Sequence, residues 1–479
     1  MPSLVLAASP AGESKDAVAL TFEAAQSRNA EMSAVGAVTG AELLAAREQA
    51  AASATLNRPT VALDAQLLRY QKTFDISLAG ALREAESVAD QLLPGIVEDL
   101  PSDVLADVEA RLRAALPEFF AALPSSVRLR TADTTFRPVV SVVLPLYTGG
   151  AIPAARGAAE AGVGLADARR ADAMDADRIN LVRLYFGQVL SYEALRVALE
   201  SRDSFDRHLA NASAMEREGF LSAAQRLQVQ VARDASQRQL DRAELENDSA
   251  RRALATALSY PAVQTMTPLF VDSKPLPSLD AFIERGVTES PLVAQAESME
   301  ALAEAGVDLA RSRFWPTIFA FGVYNLNRDH ALPIEPDWAV GVGLHYDLLS
   351  SLDRNRTLNV ARARRSAAES SKQQVRDTVS QLVIRTYNLT ELSRRQFLSL
   401  DSSLAAAQEN LRVQELAFRE GEAPVSNLID ARTLFGSARL QRAAAAYEYV
   451  LSLAALLAAS GQLEEFNGYL SHADRTITP

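Results

Sequence analysis

Trp338-Ala339-Val340-Gly341-Val342-Gly343-Leu344-His345 is the stretch that decides the fold. Trp338, Val340, Val342 and Leu344 alternate with Ala339, Gly341, Gly343 and His345, a period of two with large apolar residues on one face and mostly tiny ones on the other. A sheet resting on a soluble core turns its large residues inward and polar ones outward. Large apolar out and small in is what a lipid-facing barrel wall shows. An ordinary buried strand beside a close-packed helix gives the same pattern, so this stretch alone leaves both readings open.

Outward from it, the chain repeats itself. Val340 to Tyr346, followed by a very long helical run, echoes Val140 to Leu146 followed by another. Tyr387 echoes Tyr185, and the break Ala417-Phe418-Arg419-Glu420-Gly421 echoes Met215-Glu216-Arg217-Glu218-Gly219. The spacing of about two hundred residues is far longer than a solenoid period, which makes this a duplicated half-protein. The expected halves are 20–272 and 273–466, with an N-terminal extension 1–19 and a C-terminal tail 467–479.

Each half reads as helix, proline, strand, strand, helical hairpin. Leu20 to Asn57 is alanine-rich and helical up to Arg58 and Pro59, where proline removes an amide donor and disfavours helical geometry in the residue before it. A strand follows over 60–71, about the ten residues a tilted membrane strand needs. Leu302 to Phe314, Pro316 and a strand over 317–326 repeat the order. The second strands are expected at 139–147 and 338–346. An insertion over 73–138, with amphipathic helices at Ala81 to Leu93 and Val104 to Leu123, separates the first pair, whereas Asn327 to Asp337 suffices for the second. Long insertions are tolerated at exposed loop tips.

The hairpins are expected at 154–258 and 357–460. Helical runs of about sixty residues, at roughly 1.5 Å per residue, reach on the order of 90 Å, longer than a compact domain needs. Leu181, Leu184, Leu195, Ala198, Phe205 and Leu209, and Val375, Val379, Leu382, Thr386 and Leu389, form imperfect heptad seams with neighbours expected on more than one side. Gly219 and Gly421 supply the left-handed geometry that ends a helix.

Composition narrows the function. With 48% apolar and 23% charged residues the chain buries a core, and a formal net charge of −12 argues against nucleic acid, whose phosphates need clustered Lys and Arg. The absence of cysteine excludes disulfides, thiolate metal sites, a cysteine nucleophile and a cysteine-borne lipid anchor. No apolar run reaches the eighteen or so residues of a spanning helix. Met1 to Pro10 carries an apolar patch at Leu4 to Ala8 without a basic n-region, and reads as a processed or misassigned start, or as the start of a protein that is not exported.

Four strands per chain cannot close, since the smallest membrane barrels use about eight, and an open edge in lipid strands backbone groups at several kcal/mol each. Strands that enter a membrane therefore require oligomerisation, and helices with uncovered seams would continue the barrel as a tube.

The duplicated order, the junction Leu144-Pro145-Leu146-Tyr147-Thr148-Gly149-Gly150 and the run GEAPVSNLIDA at 421–431 before Arg432, Thr433 and Leu434 resemble the TolC-like outer-membrane efflux protein family over nearly the whole chain, Leu20 to about Phe466. The resemblance implies a mainly α fold with a membrane β-barrel portion: a homotrimer whose twelve-stranded barrel in outer-membrane lipid is continued by an α-helical barrel in the periplasm. It implies a passive efflux or secretion duct without enzymatic activity or cofactors, served by a periplasmic adaptor and an inner-membrane pump.

In the family, acidic residues after the second hairpin turn form rings at the tunnel entrance. Asp430 matches one of those positions, and Asn427 stands where a second aspartate is often found. Three Asp430 carboxylates near one axis would attract cations; alternatively Asp430 is a solvated residue favoured by a helix N-terminus. Phe418 and Ala423 occupy the places of a Tyr and an Arg that latch the closed state, with Arg419 or Arg432 as substitutes. The tips Gly219, Phe220, Leu221, Ser222 and Gly421, Glu422, Ala423, Pro424 are the expected adaptor contacts, or else plain turn chemistry. His208, His330, His345 and His472 lack metal-ligand spacing, and no nucleophile elbow or phosphate loop is present. The competing reading is a soluble helical-hairpin scaffold or adaptor protein whose short strands pair within a small domain.

Overall fold

The computed structural model describes residues 18–97, 102–328 and 336–477. The Met1–Pro10 start, His330 and part of the Asn327–Asp337 connection lie outside the described residues. In chain order the elements are β1 (Val18–Leu20), α1 (Phe22–Met32), α2 (Ala34–Ala54), β2 (Thr60–Ser77), α3 (Ala79–Val97), α4 (Ser102–Ala122), β3 (Ser126–Tyr147), α5 (Ala151–Arg217), α6 (Ala223–Ala257), β4 (Val263–Thr265), β5 (Leu269–Val271), α7 (Leu279–Glu289), α8 (Pro291–Ser312), β6 (Thr317–Asn325), β7 (Trp338–His345), α9 (Arg354–Arg419), α10 (Val425–Ala459), α11 (Phe466–His472) and β8 (Arg475–Ile477). They form two compact units, one helical (up to Leu56, Gly149–Trp315 and from Leu349) and one built on a sheet (Asn57–Thr148 and Pro316–Leu348).

In the helical unit, α5 and α9 run for 67 and 66 residues, each about 100 Å at 1.5 Å per residue. Each folds back through a glycine turn onto a 35-residue partner, α6 or α10. Phe22, Tyr185, Phe186, Phe270, Tyr449 and Phe466 are buried together in the main core, with ring centroids of successive pairs 5.1 to 6.4 Å apart. Tyr185 is wholly buried yet satisfied: its hydroxyl donates to the Leu20 carbonyl (2.7 Å) and accepts from the amides of Met266 (3.1 Å) and Thr267 (2.9 Å). Its counterpart Tyr387 is only partly buried, 6.0 Å from Phe282. Val425–Ala459 is, among the described residues, a helix long and apolar enough to cross a bilayer, which no continuous apolar run had indicated. Its Tyr449, Val450, Leu453, Leu456 and Leu457 are spent in the core instead.

The expected N-terminal helix is divided. Ser33, in extended geometry, caps α2 by accepting from the Gly36 amide, and β1 pairs in parallel with β4 ahead of α1. The C-terminal stretch after 466 is likewise structured, since β8 pairs with β5.

The second unit is one antiparallel sheet in the order β2-β3-β6-β7. The second pair ends at Asn325 and His345, within a residue of expectation. The first pair corrects it. β2 runs 18 residues to Ser77 and β3 runs 22 residues from Ser126, so both ends of the expected 73–138 insertion are strand, and the inserted segment proper holds α3, α4 and their links. The physical reason is a continuous ladder: Thr60 to Ser77 pairs residue for residue with Val143 to Ser126 without a bulge.

Candidate functional site

The register sorts the sheet into two faces. On one lie Val61, Leu63, Ala65 and Leu67 of β2, then Phe136, Pro138, Val140, Val142 and Leu144 of β3. Ile318, Ala320, Gly322 and Tyr324 of β6 and Trp338, Val340, Val342 and Leu344 of β7 complete it. From Val61 to Leu67 of β2, Phe136 to Leu144 of β3 and along β6 and β7, this face contains no charge. It is also uncovered, with β7 presenting Trp338 at 61%, Val340 at 73%, Val342 at 68% and Leu344 at 66% exposure. That excludes the buried-strand reading of the 338–345 stretch. Phe136, Tyr324 and Trp338 gather at one end of the band and Tyr147 at the other, as interfacial aromatics do.

The opposite face is polar or close-packed. It carries Asp64, Gln66, Arg137, Ser141, Asn325 and His345, together with Phe319 and Phe321, whose rings lie over Gly343 and Gly341. A Cβ on Gly343 would meet the Phe319 ring at 2.6 Å, so the tiny residues of β7 are there because aromatic rings occupy the space. Among the described residues, neither edge strand, β2 or β7, has a further neighbour in the sheet.

The hairpin tips form a second candidate region, wholly within the helical unit. After α5, Glu218 caps the helix and Gly219 adopts φ +81°; the Phe220 amide reaches back to the Met215 carbonyl (2.8 Å), and Ser222 opens α6 with a capping box to Gln225. After α9, Gly421 adopts φ +76°, the Glu422 amide bonds the Ala417 carbonyl (2.9 Å), and Pro424 precedes α10. Phe220 is 80% exposed, and Gly219, Ser222, Gly421, Glu422 and Pro424 are exposed; Leu221 and Ala423 are half-buried.

The expected gate residues separate. Asp430 and Asn427 are exposed, one turn apart on α10 and in line with exposed Leu434. Phe418 is only 2% exposed, packed with Ala212, Val229, Leu411, Val425 and Leu428 in a cluster that joins the two hairpin tips. Phe418 is thus a packing residue inside the chain. Arg432 is half-buried, and burial, partly offset by Glu415 and Glu200, lowers its guanidinium from the ordinary value.

The sequence did not single out His208 for this region. It lies between Phe205 and Phe418 (centroids 6.3 and 6.2 Å), its Nε2 is 3.1 Å from Ser204 Oγ, and burial, reinforced by Arg207, Arg432 and Arg419, lowers its pKa to about 4. A lone histidine on a helix carries no sequence sign of such company. Further from the tip along α5, Glu193 is buried between Arg196 and Arg439, each 2.8 Å away, and Arg439 also pairs with Glu200.

An uncharged outward face on a sheet with two open edges is thus joined in sequence to long helical hairpins. Residues 283–462 match the family model for outer membrane efflux proteins. The chain is similar in fold to a membrane protein from Pseudomonas aeruginosa (TM-score 0.71, 15% identity, covering 96% of this chain and 99% of that one). It is similar to the Campylobacter jejuni outer membrane channel CmeC (TM-score 0.69, 12% identity, 95% and 90%) and to the open state of the Neisseria gonorrhoeae outer membrane channel MtrE (TM-score 0.67, 17%, 92% and 89%). No curated protein matches the sequence.

Proposed function

We propose that this chain is one third of a trimeric outer-membrane duct through which substrates delivered by an inner-membrane pump and a periplasmic adaptor leave the cell. The observation that carries this is the outward apolar face on a sheet open at both edges. In lipid, the backbone groups of β2 and β7 need partners from other copies. Two copies would close eight strands, whose interior side chains fill; three give twelve, which leaves room for passage past Phe319 and Phe321. The halves 20–272 and 273–466 are read as duplicates, each supplying one strand pair and one hairpin.

Exposed apolar residues on the long helices support the same assembly. Leu227, Val231 and Leu245 on α6, and Leu389, Leu392, Val413 and Leu416 on α9, are uncovered within the chain and suit contacts between copies. A soluble scaffold has no use for the sheet's outward face. The chain performs no bond chemistry; its residues hold a passage open and set its polarity.

At the tips, the Asp430 carboxylates of three copies would form a ring at the entrance, and with Asn427 neutral the ring carries half the charge of a doubled one. Phe220, an exposed aromatic ring at the tip, is the natural first contact for an adaptor. Purified protein is expected to fractionate with outer membranes, run as a trimer in detergent and conduct ions in planar bilayers. Asp430→Ala is expected to lower cation over anion permeability in single-channel recordings; unchanged selectivity would remove the ring from the mechanism while leaving the duct intact.

A further inference from the structure

The sheet changes its apolar side partway along. In β2 the apolar positions are odd up to Leu67 (Val61, Leu63, Ala65) and even from Leu68 (Tyr70, Phe74, Ile76), although the ladder runs on without a bulge. Beyond this Leu67-Leu68 step, the outward face bears Arg69, Gln71, Thr73, Asp75, Arg128 and Arg130, with Arg128 Nε 2.8 Å from Asp75 Oδ1. The inward face, continuous with the polar wall below, now bears the apolar residues, with Lys72 among them over the Phe74 ring. Side chains keep their face in an unbroken ladder, so the inversion is written by sequence alone.

The outward switch to charge marks where hydrocarbon ends. The inward switch is the unexplained half. Ile76, Val127 and Leu129 are exposed on the inward face, and the helices that continue from it, α3 and α4, leave Val88, Leu92, Leu112 and Phe119 uncovered. Lipid cannot cover this surface, because the side toward lipid is the charged one.

Resting on the trimeric duct proposed above, we propose that this surface is covered by the same surface of the other two copies, so that three ribbons and their helix pairs meet over the barrel mouth as an apolar cap. The argument for a second copy as occupant is continuity: the face that lines the lumen in the barrel points toward the same axis beyond it, and the groups across that axis are its own symmetry mates. The cap restricts the external mouth, and opening it separates apolar surfaces.

The cysteine-free chain permits a direct test. Ile76→Cys and, separately, Phe119→Cys are introduced into the full-length protein, with Thr73→Cys on the outward face as control, and purified trimers are treated with a short bis-maleimide. Inter-copy adducts at Ile76 or Phe119, none at Thr73, and a fall in single-channel conductance on cross-linking are expected. Trimers that conduct but give no adduct at either inward position overturn the cap and spare the duct. Protein that is not a trimer before cross-linking overturns the duct and the cap together. Ile76→Glu, which leaves the barrel wall unaltered, is expected to raise conductance or open time; a trimer whose recordings match the parent would also overturn the cap.

Discussion

The sheet and the helical unit obey opposite rules of burial. In the helical unit the largest apolar side chains, Tyr185, Phe186, Phe270 and Phe397, are fully buried, and ion pairs such as Arg242 with Glu246 and Arg412 with Glu409 lie on exposed helix faces. In the sheet, Val61, Leu63, Leu67, Val340 and Val342 are more than half exposed, and polar residues take the other side. One chain thus carries two solvent codes, and the same residue types, Val and Leu, are inside in one and outside in the other. The contrast teaches that exposure of apolar surface is diagnostic only when continuous and directed. The uncharged band four strands wide is such a surface.

Breaking each code should give a large effect with a different signature. Phe186→Ala removes a ring in contact with Phe22, Tyr185, Phe270 and Phe466. It is expected to cost about 3–5 kcal/mol, as deletions of large buried aromatics do, seen as a lower unfolding midpoint in detergent with and without lipid. Val342→Arg places a charge in the middle of the outward face of β7 and is expected to cost about 2–4 kcal/mol in the bilayer but little in the isolated chain. Outer-membrane yield should fall while the long helices stay folded by circular dichroism. If Val342→Arg inserts like the parent, β7 does not face lipid.

The comparison also explains what could be read in advance. Alternation at 338–344 was legible because Gly341 and Gly343 leave only one face able to be apolar, and the glycine breaks at 219 and 421 were legible because their φ is positive. The ends of β2 and β3 were not. The strand expected over 60–71 runs on to Ser77 although its alternation reverses where Leu67 is followed by Leu68, and Arg128 and Arg130 look like helix or loop until their partners Asp75 and Thr73 are known. At the tips, Asp430 and Asn427 are exposed one turn apart on α10. Phe418 is buried by residues of both hairpins, among them Ala212 and Val425, a long-range contact that no local pattern announces.

His208 offers the smallest and most selective way to sharpen the contrast, because the helical unit's inward code there holds a titratable ring among aromatics. Its folded pKa, about 4, lies below the ordinary 6.5. The proton therefore favours the unfolded or opened tip, so the stability of this region is fully present above about pH 6.5 and is lost as pH falls toward 4. The groups around it are Glu415, with Oε1 3.9 Å away, and the guanidinium groups of Arg207, Arg432 and Arg419, which oppose a second positive charge. Proteolysis at the Gly219 and Gly421 turns should quicken between pH 6.5 and 4 in the parent protein. In His208→Asn, which keeps a polar partner for Ser204 without the ionisation, cleavage should change less over the same interval. Equal acid sensitivity in both proteins would assign the loosening to carboxylates such as Glu415, and would leave the buried ring as packing alone.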